Sequence, residues 1–265
     1  MGKVIAICNR KGGVGKTITA LSMAAGLAKQ RKNVLLIDCD DSNPALTKTV
    51  GMSDREDTIS DLLLFSYCGK LKKSMLPEVI VRTTEDFDFI PADETLAAVT
   101  VSISNAPSED AKYNALKKIV DAVKESYDYI ILDSAPALNI LTLNILSAAD
   151  EVLIVSQAQQ MSREAIDELQ SAITESKKRR NENLRLAGML ITMVDNRISS
   201  SKGTAATMKD AYESQGIKTF NTTIPRGAAG ETFAASGSSV LQYRPFSKVA
   251  KAYRDFVAEY LEEEA

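Results

Sequence analysis

The chain has 265 residues, 45% hydrophobic and 25% charged, with 32 Lys and Arg against 35 Asp and Glu for a net charge of -3. That balance suits a single α/β domain over residues 1–265 with a sizeable core, and excludes a disordered chain or a surface that is basic all over. Three cysteines without Cys-x-x-Cys spacing fit a reducing cytoplasm rather than a disulfide or zinc framework, and the lack of histidine leaves catalysis to carboxylates, lysines, backbone amides and a hard cation.

The first apolar run, residues 3–8, predicts a strand and is too short for a signal-peptide core; no later run approaches membrane-spanning length. It feeds Asn9-Arg10-Lys11-Gly12-Gly13-Val14-Gly15-Lys16-Thr17, and a helix is predicted over 17–29. A phosphate-binding loop needs a strand that ends abruptly, glycines that turn successive N–H groups inward, a lysine and a hydroxyl. All four are present. Lys16 would bridge the β- and γ-phosphates, Thr17 would bind Mg²⁺, and the positive end of the helix would lie under the phosphates. A glycine-rich turn arising by chance is the bland alternative, and the strand, lysine and hydroxyl together argue against it.

Further strands are predicted at residues 33–38, 86–90, 129–133, 151–156, 185–193 and 217–220. Most are continuous apolar runs, as in a mostly parallel sheet covered by helices on both faces. Residues 51–84 are the least patterned stretch, where an insertion or mobile segment would sit most easily. Leu116, Ile119, Val120 and Val123 keep helical spacing, as do Ile166, Leu169 and Ile173. A last helix over about 246–261 is predicted to dock through Phe246, Val249, Ala250, Tyr253, Phe256, Val257, Tyr260 and Leu261.

Two strands end in acid: Val34 to Asp40 carries Asp38 and Asp40, and Tyr129 to Asp133 carries Asp133. In a parallel sheet these ends converge on the edge that bears the loop. Asp133 reads as the carboxylate that holds Mg²⁺ through water, Asp38 as a second carboxylate at the metal, and Asp40 as the group that positions the attacking water. A solvated turn residue is the alternative for any one of them; three in one such chain favour the site.

The ordinary loop pattern has glycine at position 10, where this chain has Arg10, and it carries an extra lysine, Lys11, before Gly12-Gly13. In this it resembles the deviant Walker A (SIMIBI) loop of the ParA/MinD ATPases, and Soj-like partitioning proteins in particular. Residues 11–17, 35–40, 127–136, 192–195 and 224–226 match in order. The resemblance implies a P-loop NTPase fold and ATP hydrolysis with Mg²⁺. It also implies an ATP-bound homodimer in which Lys11 reaches the partner's nucleotide, non-specific DNA binding on the nucleoid, and stimulation by a ParB-like protein.

The implied nucleotide contacts are Lys11, Gly12, Gly13, Val14, Gly15, Lys16, Thr17 and Ile18, with Asp195, Pro225 and Gly227 bordering the adenine. Arg197 matches a DNA-contacting arginine. The second such arginine falls on Ala229, and Lys202, Arg226, Lys248 and Lys251 could share the patch. The run Lys177-Lys178-Arg179-Arg180 reads first as a solvated helix end and second as a DNA contact. Ile18, Asp41 and Ser134-Ala135-Pro136 depart from the family's usual threonine, proline and double-proline turn.

Two other readings compete. A MinD-like membrane ATPase would want a basic amphipathic C-terminus, but here Asp255, Glu259, Glu262, Glu263 and Glu264 make the tip acidic, so no membrane partner is expected. A metabolic P-loop ligase or kinase shares the loop, yet leaves Lys11 with less to do.

Overall fold

The computed structural model describes residues 2–158, 163–195 and 199–264; the side chains of residues 163–167, 199–202 and 204 are outside that description. Eight strands form one sheet: β1 (Lys3–Cys8), β2 (Val34–Cys39), β3 (Val81–Arg82), β4 (Asp88–Ile90), β5 (Tyr129–Ser134), β6 (Glu151–Gln157), β7 (Arg185–Val194) and β8 (Thr219–Pro225). Their order is β3-β4-β2-β5-β1-β6-β7-β8, and every pairing is parallel except that of β3 with β4. The expected mostly parallel sheet flanked by helices is therefore what the chain adopts.

Alternation along the strands divides the interior in two. Val4, Ala6, Cys8, Leu35, Ile37, Ile130 and Leu132 face one core. Ile5, Ile7, Val34, Leu36, Tyr129, Ile131, Leu153 and Val155 face the other. Since both faces are apolar the strands read as unbroken hydrophobic runs, which is why the sequence pattern finds them. Each large side chain so buried contributes about 1.5–3 kcal/mol relative to exposure.

The second core is closed by two helices, Lys16–Lys29 and Lys248–Glu262. They meet at Gly26, where an added Cβ would lie 2.8 Å from Val257 Cγ2. The hydroxyls of Thr19 and Tyr253 join them again at 3.0 Å. Glu259 of the last helix accepts from the N–H groups of Asn221 at 2.6 Å and Thr222 at 2.8 Å, so it also covers part of the edge strand β8.

Two expectations need correction. Phe246 is 99% exposed and precedes the last helix, whose N-cap is Ser247, its hydroxyl accepting from the Ala250 N–H at 3.1 Å. The segment 51–84 is structured: a capping box of Thr58 and Asp61 starts the helix Ile59–Tyr67, which buries Ile59, Leu62 and Leu63. Leu169 and Ile173 are buried as expected; Ile166 lies outside the described side chains. Lys177, Lys178 and Arg179 form the last turn of the helix Arg163–Arg179, the dipole-favoured place for cations. No helix of the described residues is long and apolar enough to cross a membrane.

The close approach at Gly26 sets a specific expectation. Gly26→Ala gains about 1 kcal/mol of helix propensity but overpacks Val257 at a cost of about 1–3 kcal/mol. Chemical denaturation should show net destabilisation in the wild-type background and a neutral or stabilising effect in a Val257→Ala background.

Candidate nucleotide site

The loop between β1 and the helix Lys16–Lys29 is shaped by two left-handed glycines, Gly13 at φ 70° and Gly15 at φ 96°. Asn9 fixes its entrance: the side-chain oxygen accepts from the Lys11 N–H at 2.9 Å, and the amide donates to the Val155 carbonyl at 2.7 Å. Thr192 of β7 fixes its exit, donating to the Val14 carbonyl at 2.7 Å. Gly15 caps the helix without a side-chain hydrogen bond, and the first turn contains no acid. The helix therefore presents free N–H groups and a positive end to whatever anion enters the loop.

The two lysines point to different fates. Lys16 is 6% exposed and its Nζ donates to the Lys11 carbonyl at 3.3 Å, across the loop. Lys11 is exposed, and among the described residues its ammonium has no ion-pair partner. Arg10, at the position of the missing glycine, forms an ion pair with Glu168.

Beneath the loop lie the carboxylates. The β2–β5 register sets Asp38 directly beside Asp133, both completely buried. Neither oxygen of Asp133 has a hydrogen-bond partner among the described residues. Desolvation pushes its carboxyl well above the usual range, and Asp38 adds to that, while Thr17 and Lys16 oppose it. Burial in turn pulls Lys16 down, with Asp133 and Asp40 opposing. A buried carboxylate with both oxygens unsatisfied costs several kcal/mol unless something positive reaches it. Asp133 with the Thr17 hydroxyl is thus the donor set that fits a magnesium ion at the phosphates.

Asp38 is differently employed. Its Oδ1 accepts from the Asp40 N–H at 3.1 Å, and its Oδ2 from the Thr47 N–H at 2.9 Å and hydroxyl at 2.7 Å. Thr47 also accepts from the Ala92 N–H at 2.9 Å. Desolvation nonetheless pushes Asp38 up to about 6, against those three hydrogen bonds. In this structure it holds the loop after β2 to the sheet, and the metal reading rests more firmly on Thr17 and Asp133. Asp40 Oδ1 accepts from Ser42 N–H at 3.0 Å, Ser42 Oγ at 2.5 Å and Asn43 N–H at 3.1 Å. Its second oxygen takes no part in that turn.

Beside the loop a pocket is lined by Gly15, Ile18, Thr192, Met193, Ile224, Pro225, Arg226, Gly227, Gly230, Glu231, Val249 and Tyr253. Ile18, Pro225 and Gly227 were expected at a base; Asp195 follows β7 at the same sheet edge but is not among the lining residues. Thr192 and Met193 fall in the matched stretch 192–195 and Tyr253 on the apolar face of the last helix, but none of the three was expected at this pocket. Met193 has a left-handed φ of 55°, rare for a non-glycine residue, where β7 turns past the pocket. Arg226 lines this pocket and pairs with Glu231 at 3.4 Å, so its place is here as much as on a DNA face. Lys248 and Lys251 are exposed on the last helix, Lys251 paired with Asp255 at 2.8 Å. Arg197 lies outside the described residues, as does the Lys202 side chain.

The loop, the buried acids and this pocket thus share one sheet edge, outside the carboxyl ends of parallel strands where such folds bind ligands. The chain is similar to known proteins along nearly its whole length. The chain is 33% identical over 261 residues to the sporulation initiation inhibitor protein Soj of Bacillus subtilis, covering 98% of each. It is 34% identical over 257 residues to the chromosome-partitioning ATPase Soj of Thermus thermophilus, covering 97% of this chain and 94% of that one. Cobyrinic acid a,c-diamide synthase from Mycobacterium smegmatis, solved with ADP and magnesium, superposes with a TM-score of 0.82 at 29% identity, over 100% of this chain and 96% of that one. A family model described as an AAA domain, AAA_31, matches residues 2–186, and with these relatives it places the chain in that family of ParA/MinD-type P-loop ATPases.

Proposed function

We propose that the protein is a ParA-type partitioning ATPase: it binds ATP and Mg²⁺, pairs with a second copy across the nucleotides, holds DNA without sequence preference, and is reset by hydrolysis. The observation that carries this reading is the contrast between the lysines, Lys16 buried in the loop and Lys11 exposed and, among the described residues, without an ion-pair partner. One ammonium serves its own phosphates. The other is free to serve a neighbour's, which makes dimerisation and triphosphate sensing one event. The full-length likeness to the Soj proteins supports the partitioning role.

In the proposed cycle the loop amides and Lys16 orient the phosphates, and the uncapped helix N-terminus offsets their charge. A bound Mg²⁺ would neutralise developing charge on the phosphate oxygens, held by Thr17 and, through water, by Asp133. Asp40, with one oxygen outside its own turn, orients the water. Arg226, Lys248 and Lys251, with Arg197 and Lys202, would form the DNA face, and a ParB-like protein would stimulate the reset. The expected location is the cytoplasm, on the nucleoid. The diamide synthase likeness raises an ATP-dependent ligase as the second reading, which predicts turnover indifferent to Lys11 and to DNA.

Lys16→Ala should abolish binding of a fluorescent ATP analogue. Lys11→Ala should keep that binding, yet remain monomeric with Mg²⁺-ATP in sedimentation; a Lys11→Ala dimer as tight as wild type refutes the trans role. Asp40→Ala should lower turnover about a hundredfold or more while leaving ATP affinity intact and retaining the dimer on DNA. Binding to arbitrary duplex DNA should require ATP and weaken steeply with salt, losing about 0.9 log unit of affinity per log unit of salt for each phosphate contacted. Anionic liposomes should not compete.

A further inference from the structure

Asp41 stands beside the water-orienting Asp40 and takes no part in the turn that Asp40 organises. Its carboxylate Oδ2 accepts from the side-chain amide of Asn139 at 2.8 Å. Asn139 is the N-cap of the helix Ile140–Ala148, its oxygen accepting from the Thr142 N–H at 3.0 Å. The bond thus ties the loop after β2 to the segment that leaves β5 beyond Asp133. The buried Thr100 hydroxyl, which has no hydrogen-bond partner of its own in good geometry, approaches the same carboxylate from a third element, the helix Leu96–Ser104. Burial raises the Asp41 carboxyl, with Thr100 and Asn139 opposing.

The tie bears directly on Asp40. On its N-terminal side Asp40 is anchored by its own N–H to Asp38; on its C-terminal side the next residue is anchored to Asn139. Beyond Asp133 the same outgoing segment passes the phosphate loop, Pro136 lying in van der Waals range of a Cβ placed on Gly12. The loop that grips phosphate, the segment after the metal-facing acid and the loop that carries Asp40 are therefore joined in series.

We propose that Asp41 is a positioning residue for hydrolysis: through Asn139 it locks the Asp40 loop to the segment following Asp133, so that the water-orienting carboxylate and the metal-facing carboxylate move as one unit. This rests on the ATPase reading above. A shift of about 1 Å in a catalytic group is enough to lose one to two orders of magnitude in rate, without any change in how the phosphates are gripped.

The test is a charge-and-amide swap. Asn139→Asp keeps a good N-cap acceptor but sets carboxylate against carboxylate; Asp41→Asn/Asn139→Asp restores a donor–acceptor pair in reverse. Asp41→Ala and Asn139→Asp should each lower Mg²⁺-ATP turnover about tenfold with ATP affinity within twofold of wild type. The double variant should recover most of the loss. In nucleotide-free protein, amide hydrogen exchange at Asp41 to Asn43 should speed up in the single variants and return to the wild-type rate in the swap. If Asp41→Ala turns over normally while Asp40→Ala is inactive, the positioning role is wrong and the Asp40 assignment stands. If Asp40→Ala is also active, the underlying reading fails. Lower thermal stability with unchanged turnover, or no recovery in the swap, likewise overturns the proposal.

Discussion

Two carboxyl groups sit side by side in the buried interior, and much of the site can be understood as the response to that. The β2–β5 register forces Asp38 and Asp133 into adjacency inside a sheet covered on both faces. Desolvation favours the protonated form of both acids, and at Asp133 repulsion from Asp38 adds to it. The chain relieves Asp38 with three hydrogen bonds from Asp40 and Thr47, whereas among the described residues no hydrogen bond in good geometry reaches Asp133. The difference divides their roles: a satisfied carboxylate organises its own loop, whereas an unsatisfied one beside a lysine and a threonine hydroxyl is stabilised when a cation arrives. Such a site stores, in its empty form, part of the free energy that favours the loaded form.

The same logic extends to the loop above it. Gly13 and Gly15 adopt left-handed geometry that other residues resist, and Asn9 and Thr192 pin the loop at both ends, to β6 through Val155 and to the tip of β7. Hydrogen bonds from within the chain thus hold the cradle's shape. A loop held by its own hydrogen bonds loses less ordering entropy when it grips phosphate.

Legibility from sequence followed burial. β1, β2, β5, β6 and β7 are covered on both faces, so their apolar runs were unambiguous. β8 was read too short because its second half, Asn221-Thr222-Thr223, is polar: the strand lies at the edge, and Glu259 of the last helix completes its hydrogen bonding. β3 has two residues and exists through its pairing with β4, information that no local pattern contains. Phe246 was drawn into the last helix because it fits the apolar period, although Pro245 and the capping residue Ser247 mark the true start at Lys248. The Thr58-x-x-Asp61 box was likewise present to be read. Glycines, lysines and strand-end acids were legible because phosphate chemistry dictates residue type and spacing together. The placement of Thr192, Met193 and Tyr253 at the pocket was not, since β7 and the last helix are distant in sequence and meet there only in the fold.

That contrast explains why the departures from the family pattern are informative. A proline after Asp40 would stiffen the chain by fixing φ; an aspartate cannot do that and instead acts through a partner. Asp41 finds one in Asn139, whose other function, capping the helix Ile140–Ala148, is itself needed by the fold. A single amide side chain thereby serves as helix cap through its oxygen and as inter-loop tether through its nitrogen. Local backbone stiffness has been exchanged for a long-range hydrogen bond between the two loops that border the phosphates. A hydrogen bond of that kind fixes one loop relative to the other, whereas a proline ring stiffens only the residue it occupies.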